Sequence, residues 1–183
     1  MPRYYTYLIS SLPALHFATK PPFTFSEFLK LCAGFISAQE FELLPIVLGL
    51  KECLYNGNQS TLLRLCLFER NLRNELVKIR AARKHLDPQK YLRVDQGYVD
   101  SSIVYIAHTS FRNPEIMEGE KLLDLARWHM LDELSSGHYF DIDCLIIYAR
   151  KLLILEKWQR IASANKAEVL NEALRGSGNI DSY

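Results

Sequence analysis

The chain has 183 residues, 49% of them hydrophobic and 23% charged, and its 22 Lys and Arg against 21 Asp and Glu leave a net charge of +1. That is the composition of a folded domain with its own core; eight glycines, seven prolines and 11% aromatics exclude disordered, collagen-like and low-complexity chains. A balance so near zero supplies no global field to draw the protein to nucleic acid or anionic lipid.

The start, Met1-Pro2-Arg3-Tyr4-Tyr5-Thr6-Tyr7, lacks the continuous apolar run of a signal peptide. Tyr4 to Ile9 is aromatic and β-branched, which predicts one short N-terminal strand ended by Ser10-Ser11-Leu12-Pro13. Helices are predicted for the rest. Thr24 and Glu27 have capping-box spacing and open a helix running to about Cys32, and Ser37 with Glu40 repeats the signature. That second helix must break or kink near Pro45, whose ring removes a backbone donor and crowds the preceding turn.

Asn56-Gly57-Asn58 predicts a turn, after which Ser60 is placed to cap a long helix ending near His85. Leu65, Leu72, Leu76 and Ile79 form its apolar stripe. Asp87-Pro88 stops it, and Asp95-Gln96-Gly97 falls in the irregular connection that follows. Ser101 to Phe111 predicts a shorter helix. Asn113-Pro114-Glu115 supplies an N-cap, a first-turn proline and an early carboxylate for a helix to Ser136, where Gly137 can take the left-handed stop. Asp141 then caps a last helix through Trp158 and as far as Leu174. Long helices joined by short turns hide their stripes by packing antiparallel, so the fold expected is an all-α bundle of six to seven helices. One domain is expected over residues 1–174, as a single bundle or as two lobes meeting near 86–100, with a flexible tail at 175–183.

Chemical signatures are sparse. No phosphate-cradling glycine loop and no nucleophile elbow occurs. Cys32, Cys53, Cys66 and Cys144 stand among apolar neighbours with no C-x-x-C spacing, as buried reduced thiols do. His138, Asp141 and Asp143 could suggest a metal, but no Glu-x-x-His is present, and capping explains an Asp at that junction, so no metal and no cofactor is expected. Neither catalytic residues nor an enzyme is expected; the competing enzymatic reading uses Asp132, Glu133 or His138 as acid and base. Trp128 and Trp158 read as core anchors. The Tyr4-Tyr5 and His138-Tyr139-Phe140 clusters fit either helix packing or the anchoring of a partner.

The strongest surface pattern lies on the helix from Ser60. Arg73, Arg80 and Lys84 share one face by the spacing that also aligns the apolar stripe. That face suits docking of an acidic protein or, less well because no aromatics are interleaved, nucleic acid; the plainer reading is a solvated face with Glu69 pairing along the helix to Arg73. An adaptor of this kind binds a protein partner through the basic face.

Three segments also look familiar as a set: Tyr4 to Pro13, Arg73-Asn74-Glu75-Leu76-Val77-Lys78-Ile79-Arg80, and Leu131 to Asp141. Together they resemble an uncharacterised bacterial family encoded with V-type ATP synthase operons, in the place of the non-catalytic C-type subunit, the helical socket between rotor axle and membrane ring. The resemblance implies a helical structural or coupling component linking central stalk and membrane ring, cytoplasmic and peripheral to the inner face of the cell membrane, in a complex that couples ATP synthesis to proton or sodium transport. Its partners would be the other V-type ATP synthase subunits, not nucleic acid. Members of that family are expected to be longer, so the chain corresponds to a short version or a piece lacking a lobe. Carried over by position, the residues implied are Arg73, Asn74, Glu75, Arg80, His138 and Tyr139, with Lys84 added from the basic face. A buried pairing of Arg73 with Asp132 or Glu133 explains the same residues equally well.

Overall fold

The structure, a computed structural model, describes residues 4–49, 55, 57–93 and 99–164. Among them every regular element is helical: α1 Thr6–Ser11, α2 Phe25–Ala33, α3 Ala38–Phe41, α4 Leu43–Gly49, α5 Ser60–Arg83, α6 Ser101–Arg112, α7 Ile116–Leu134 and α8 Ile142–Ser163, with a 3-10 turn at Pro88–Lys90. The all-α expectation holds. Cys53, Asn56 of the predicted turn, the Asp95-Gln96-Gly97 connection, the end of the last helix toward Leu174 and the 175–183 tail lie outside the described residues.

The N-terminal strand is a correction. A lone strand has no ladder partner to satisfy its backbone, whereas a helical turn satisfies it locally and places Tyr5 and Leu8, three apart, together in the core. Tyr5 N–H instead donates to the Phe140 carbonyl at 2.6 Å, which ties the chain start to the α7–α8 turn. The capping box at Thr24 and Glu27 forms as read, and Ser37 accepts from Glu40 N–H. The break demanded by Pro45 falls at Glu42, between α3 and α4, where the ring would otherwise meet the preceding turn. Two caps are displaced. Gln59, not Ser60, caps α5 by accepting from Leu62 N–H, and Glu115 rather than Asn113 occupies the N-cap of α7, Asn113 accepting from Glu115 N–H just upstream. Gly137 takes φ 86 and Asp141 caps α8, as read.

The long α8 contacts α2, α4, α5 and α7. Leu145, Ile146, Ala149, Leu152 and Leu155 are fully buried on one broad face, and Ile147 and Ile154 are buried on the opposite side, so apolar residues surround this helix instead of lining one stripe. Around it gathers the larger apolar cluster, with Phe28, Leu44, Leu62, Leu65, Trp128 and Leu131. A smaller cluster joins Leu72, Ile103, Ala107 and Leu123, flanked by Phe68, Leu76 and Ile79. Helices α5 and α7 run through both.

Between the two clusters lies a buried polar seam. The Glu69 carboxylate accepts from Arg127 Nε at 2.9 and 3.1 Å, from Arg127 Nη2 at 3.1 Å and from Arg150 Nη2 at 2.6 Å. Asp124 accepts from Arg127 Nη1 at 2.9 Å, Lys157 Nζ at 2.7 Å and the Trp158 indole N–H at 2.9 Å. The seam therefore binds α5, α7 and α8 with charge-assisted bonds. Neither Asp132 nor Glu133 supplies it: Asp132 accepts from Lys151 at 2.5 Å, Arg73 is exposed, and the buried Arg–Glu contact forms four residues earlier on α5.

Candidate functional site

Arg73, Arg80 and Lys84 line one open groove of about 340 Å³ along the C-terminal half of α5, with Val77, Ala81, Leu86 and Tyr91. The sequence aligned the three cations. The fold adds an apolar floor and a second wall.

Each part of that wall has a local cause. After α5 the chain turns through His85, at φ 53, and Leu86 N–H donates back to the Ala81 carbonyl at 2.9 Å while His85 N–H donates to Ala82 at 3.2 Å. This is a Schellman stop, and it sets Leu86 over Ala81 at the end of the groove. Asp87 then caps the 3-10 turn by accepting from Gln89 N–H. Asn74 completes the wall: its Nδ2 donates to the Arg93 carbonyl at 2.9 Å and its Oδ1 accepts from Arg93 N–H at 3.0 Å. A side-chain amide thus pairs with backbone as a neighbouring strand would, and ties the Tyr91–Arg93 stretch to α5.

The acidic residues of α5 turn away from this face. Glu69 is buried in the seam, where burial opposes its ionisation but the Arg127 and Arg150 guanidiniums outweigh that and hold its carboxyl below the ordinary range. Glu75 is buried and accepts from Lys78 at 2.6 Å. Among the described residues no acid lines the groove. The helical pairing of Glu69 with Arg73 is not formed, because both Glu69 oxygens are already engaged across the bundle.

The remaining singled-out residues sit elsewhere. His138 Nδ1 lies 2.6 Å from Asp141 Oδ2 and 3.7 Å from Asp143 Oδ2, and the hydrogen bond to Asp141 raises the imidazole above its ordinary value against the opposing effect of partial burial. These three groups stand close enough to share a cation. Each also has another role: Asp141 accepts from Cys144 N–H as the cap of α8, and Asp143 accepts from Gln59 and Thr61. Tyr139 is exposed beside them, while Tyr5 is buried, donates its hydroxyl to Glu40 and meets Phe140 through its backbone. The two aromatic clusters noted in the sequence therefore meet at one end of the bundle. Trp128 stacks edge-on against Phe17 at 5.5 Å within the core. Cys32 and Cys66 are buried, and burial pushes the Cys32 thiol up to about 12. A separate recess of about 260 Å³ between α5, α6 and α7 carries Asp100, His129 and Glu133 on an apolar floor. Asp132, Glu133 and His138 do not converge: the first pairs with Lys151, the second faces this recess and the third faces Asp141.

Sequence reasoning missed Val77, Leu86 and Tyr91 as groove residues. The signal available was Leu86 and Tyr91 themselves, large apolar residues in a short polar connection.

The fold and groove together define an all-α bundle that presents a cationic, apolar-floored surface. The family model described as "Protein of unknown function (DUF2764)" matches residues 104–175, under half of the chain, from within α6 through α7 and α8. No curated protein and no solved structure matches the chain. No helix among the described residues is long and apolar enough to cross a membrane.

Proposed function

We propose that the chain is a non-catalytic docking component of a multi-subunit assembly, and that this assembly is the V-type ATP synthase that the sequence resemblance implies, with a socket-like coupling role at the inner face of the membrane. One observation carries the reading. Of the resembling segment Arg73–Arg80, Arg73 and Arg80 face the groove and Asn74 fixes its wall, so three of the six residues carried over by position serve one surface, while Glu75 is buried against Lys78 and His138 and Tyr139 lie outside the groove. A coupling part works through complementary contact over stiff elements, and the buried seam joining α5, α7 and α8 supplies such stiffness to the bundle.

The test is purification of the tagged chain from gently solubilised membranes of its native cell. Subunits of the rotary complex are expected in stoichiometric amounts; their repeated absence while the intact complex is present in the same extract rejects the assignment. A second reading, favoured by the same groove, is a helical adaptor unrelated to rotary ATPases that binds another acidic protein. Reversing Arg73, Arg80 and Lys84 then abolishes a salt-sensitive capture of that protein while rotary subunits stay absent throughout.

A further inference from the structure

We infer that the groove beside α5 takes an acidic amphipathic helix of a partner protein, laid along α5 with an apolar side chain seated between Leu86 and Tyr91. This rests on the docking reading above and adds the partner's chemistry to it.

Charge comes first. Both glutamates of α5 are buried, one in the seam and one against Lys78, so the helix contributes no acid to the face bearing Arg73, Arg80 and Lys84. Those three cations stand seven and four residues apart, on one line of roughly 16 Å at the helical rise of about 1.5 Å per residue. A partner helix of about three turns spans that line, and carboxylates at the same spacing reach all three cations.

Shape comes second. Leu86 is 47% exposed and Tyr91 56% exposed, at the mouth of a recess whose floor is Val77 and Ala81. Hydrogen bonds hold both walls: the backbone bonds of the Schellman stop fix Leu86, and the side-chain clamp of Asn74 on the Arg93 backbone fixes the stretch after Tyr91. Little ordering is therefore left to the moment of binding. A nucleic acid backbone would meet the cations yet leave the apolar floor uncovered, with Tyr91 as the single ring among the described residues lining the groove on which a base could stack. An amphipathic helix meets both halves of the surface, the acidic flank on the cations and the apolar stripe on the floor.

The experiment uses the full chain and a fluorescein-labelled helical peptide with glutamates at the seven- and four-residue spacing and leucines on the same face, followed by anisotropy. Saturable binding that weakens with salt is expected. Arg73→Glu, Arg80→Glu and Lys84→Glu combined should weaken it about tenfold or more, since each exposed pair contributes only a fraction of the whole. A peptide with lysines in place of the glutamates should regain binding to that variant. All three substitutions are at exposed positions, and circular dichroism checks that the variant remains folded. Failure of the wild-type chain to bind, equal binding of a sequence-scrambled peptide, or tighter binding of a single-stranded RNA oligomer each overturns the inference. Co-purification with the rotary complex while the peptide fails sinks only the partner chemistry; peptide binding without co-purification sinks only the choice of assembly.

Discussion

Glu69 shows how one side chain can organise a core. Its carboxylate answers two guanidiniums from two other helices, and burial alone would have favoured its neutral form. Removing one member of such a set leaves uncompensated buried charge and costs about 3–5 kcal/mol, whereas replacing the whole set by well-packed apolar groups is often neutral. Glu69→Gln is therefore expected to lower the unfolding free energy by about 3 kcal/mol, as read from urea denaturation, and a Glu69→Met, Arg127→Met, Arg150→Leu triple variant should lose much less. The sign of the acid dependence follows from the depressed carboxyl. A folded value below the ordinary 4.5 means the stabilisation is complete above 4.5 and is lost as pH falls below it toward the folded value. The wild-type stability should thus decline through that acid window, and the Glu69→Gln curve should be flatter there. Nothing in the sequence around Glu69 announced this role, because its partners lie 58 and 81 residues away and its nearest basic neighbour on the same helix face, Arg73, was the more obvious choice.

Elements were legible where their causes are local. The Thr24 and Ser37 caps, the Pro45 break, the Gly137 stop and the Asp141 cap each depend on side chains within a few residues, and all form where the sequence put them. Tyr4 to Ile9 was misread because β-propensity is also local, while the choice between strand and helix was made by the core that Tyr5 and Leu8 enter. The groove was half legible: helical spacing aligned its cations, but its wall depends on Asn74 reaching residue 93. Close helix crossing offers a prediction at this scale. Gly119 lets α7 approach α6 so nearly that a Cβ there would stand 2.7 Å from the Ser110 carbonyl oxygen, and Ser110 Oγ donates to the Gly119 carbonyl at 2.8 Å. In an exposed helix interior Gly→Ala gains roughly 0.5–1 kcal/mol. Here the obstructing atom is backbone and cannot swing aside, and overpacking costs about 1–3 kcal/mol. Gly119→Ala should therefore destabilise by about 1–2 kcal/mol net, as measured by the shift in urea midpoint, and a stabilised variant would mean α6 and α7 separate freely.

At the scale of the whole molecule the question is whether two apolar clusters act as one body. The groove flanks the smaller cluster, and α8 lies in the larger one, so a load applied at Arg80 reaches α8 only if the clusters move together. Three connections argue that they do: α5 runs from Leu62 in one to Leu72 in the other, α7 runs from Leu123 back to Leu131, and the Glu69–Arg127–Arg150 contact closes the seam between. Breaking either cluster exposes the seam's charges as well as apolar area, which penalises partly unfolded states. The two tryptophans give a direct test, since Trp128 and Trp158 both pack with the larger cluster while far-ultraviolet circular dichroism reports helices of both. Urea unfolding followed by the two signals should coincide in midpoint and slope, the mark of a single cooperative transition. A dichroism change that precedes the fluorescence change would mean that the α6 side melts first and that the two clusters unfold as separate units.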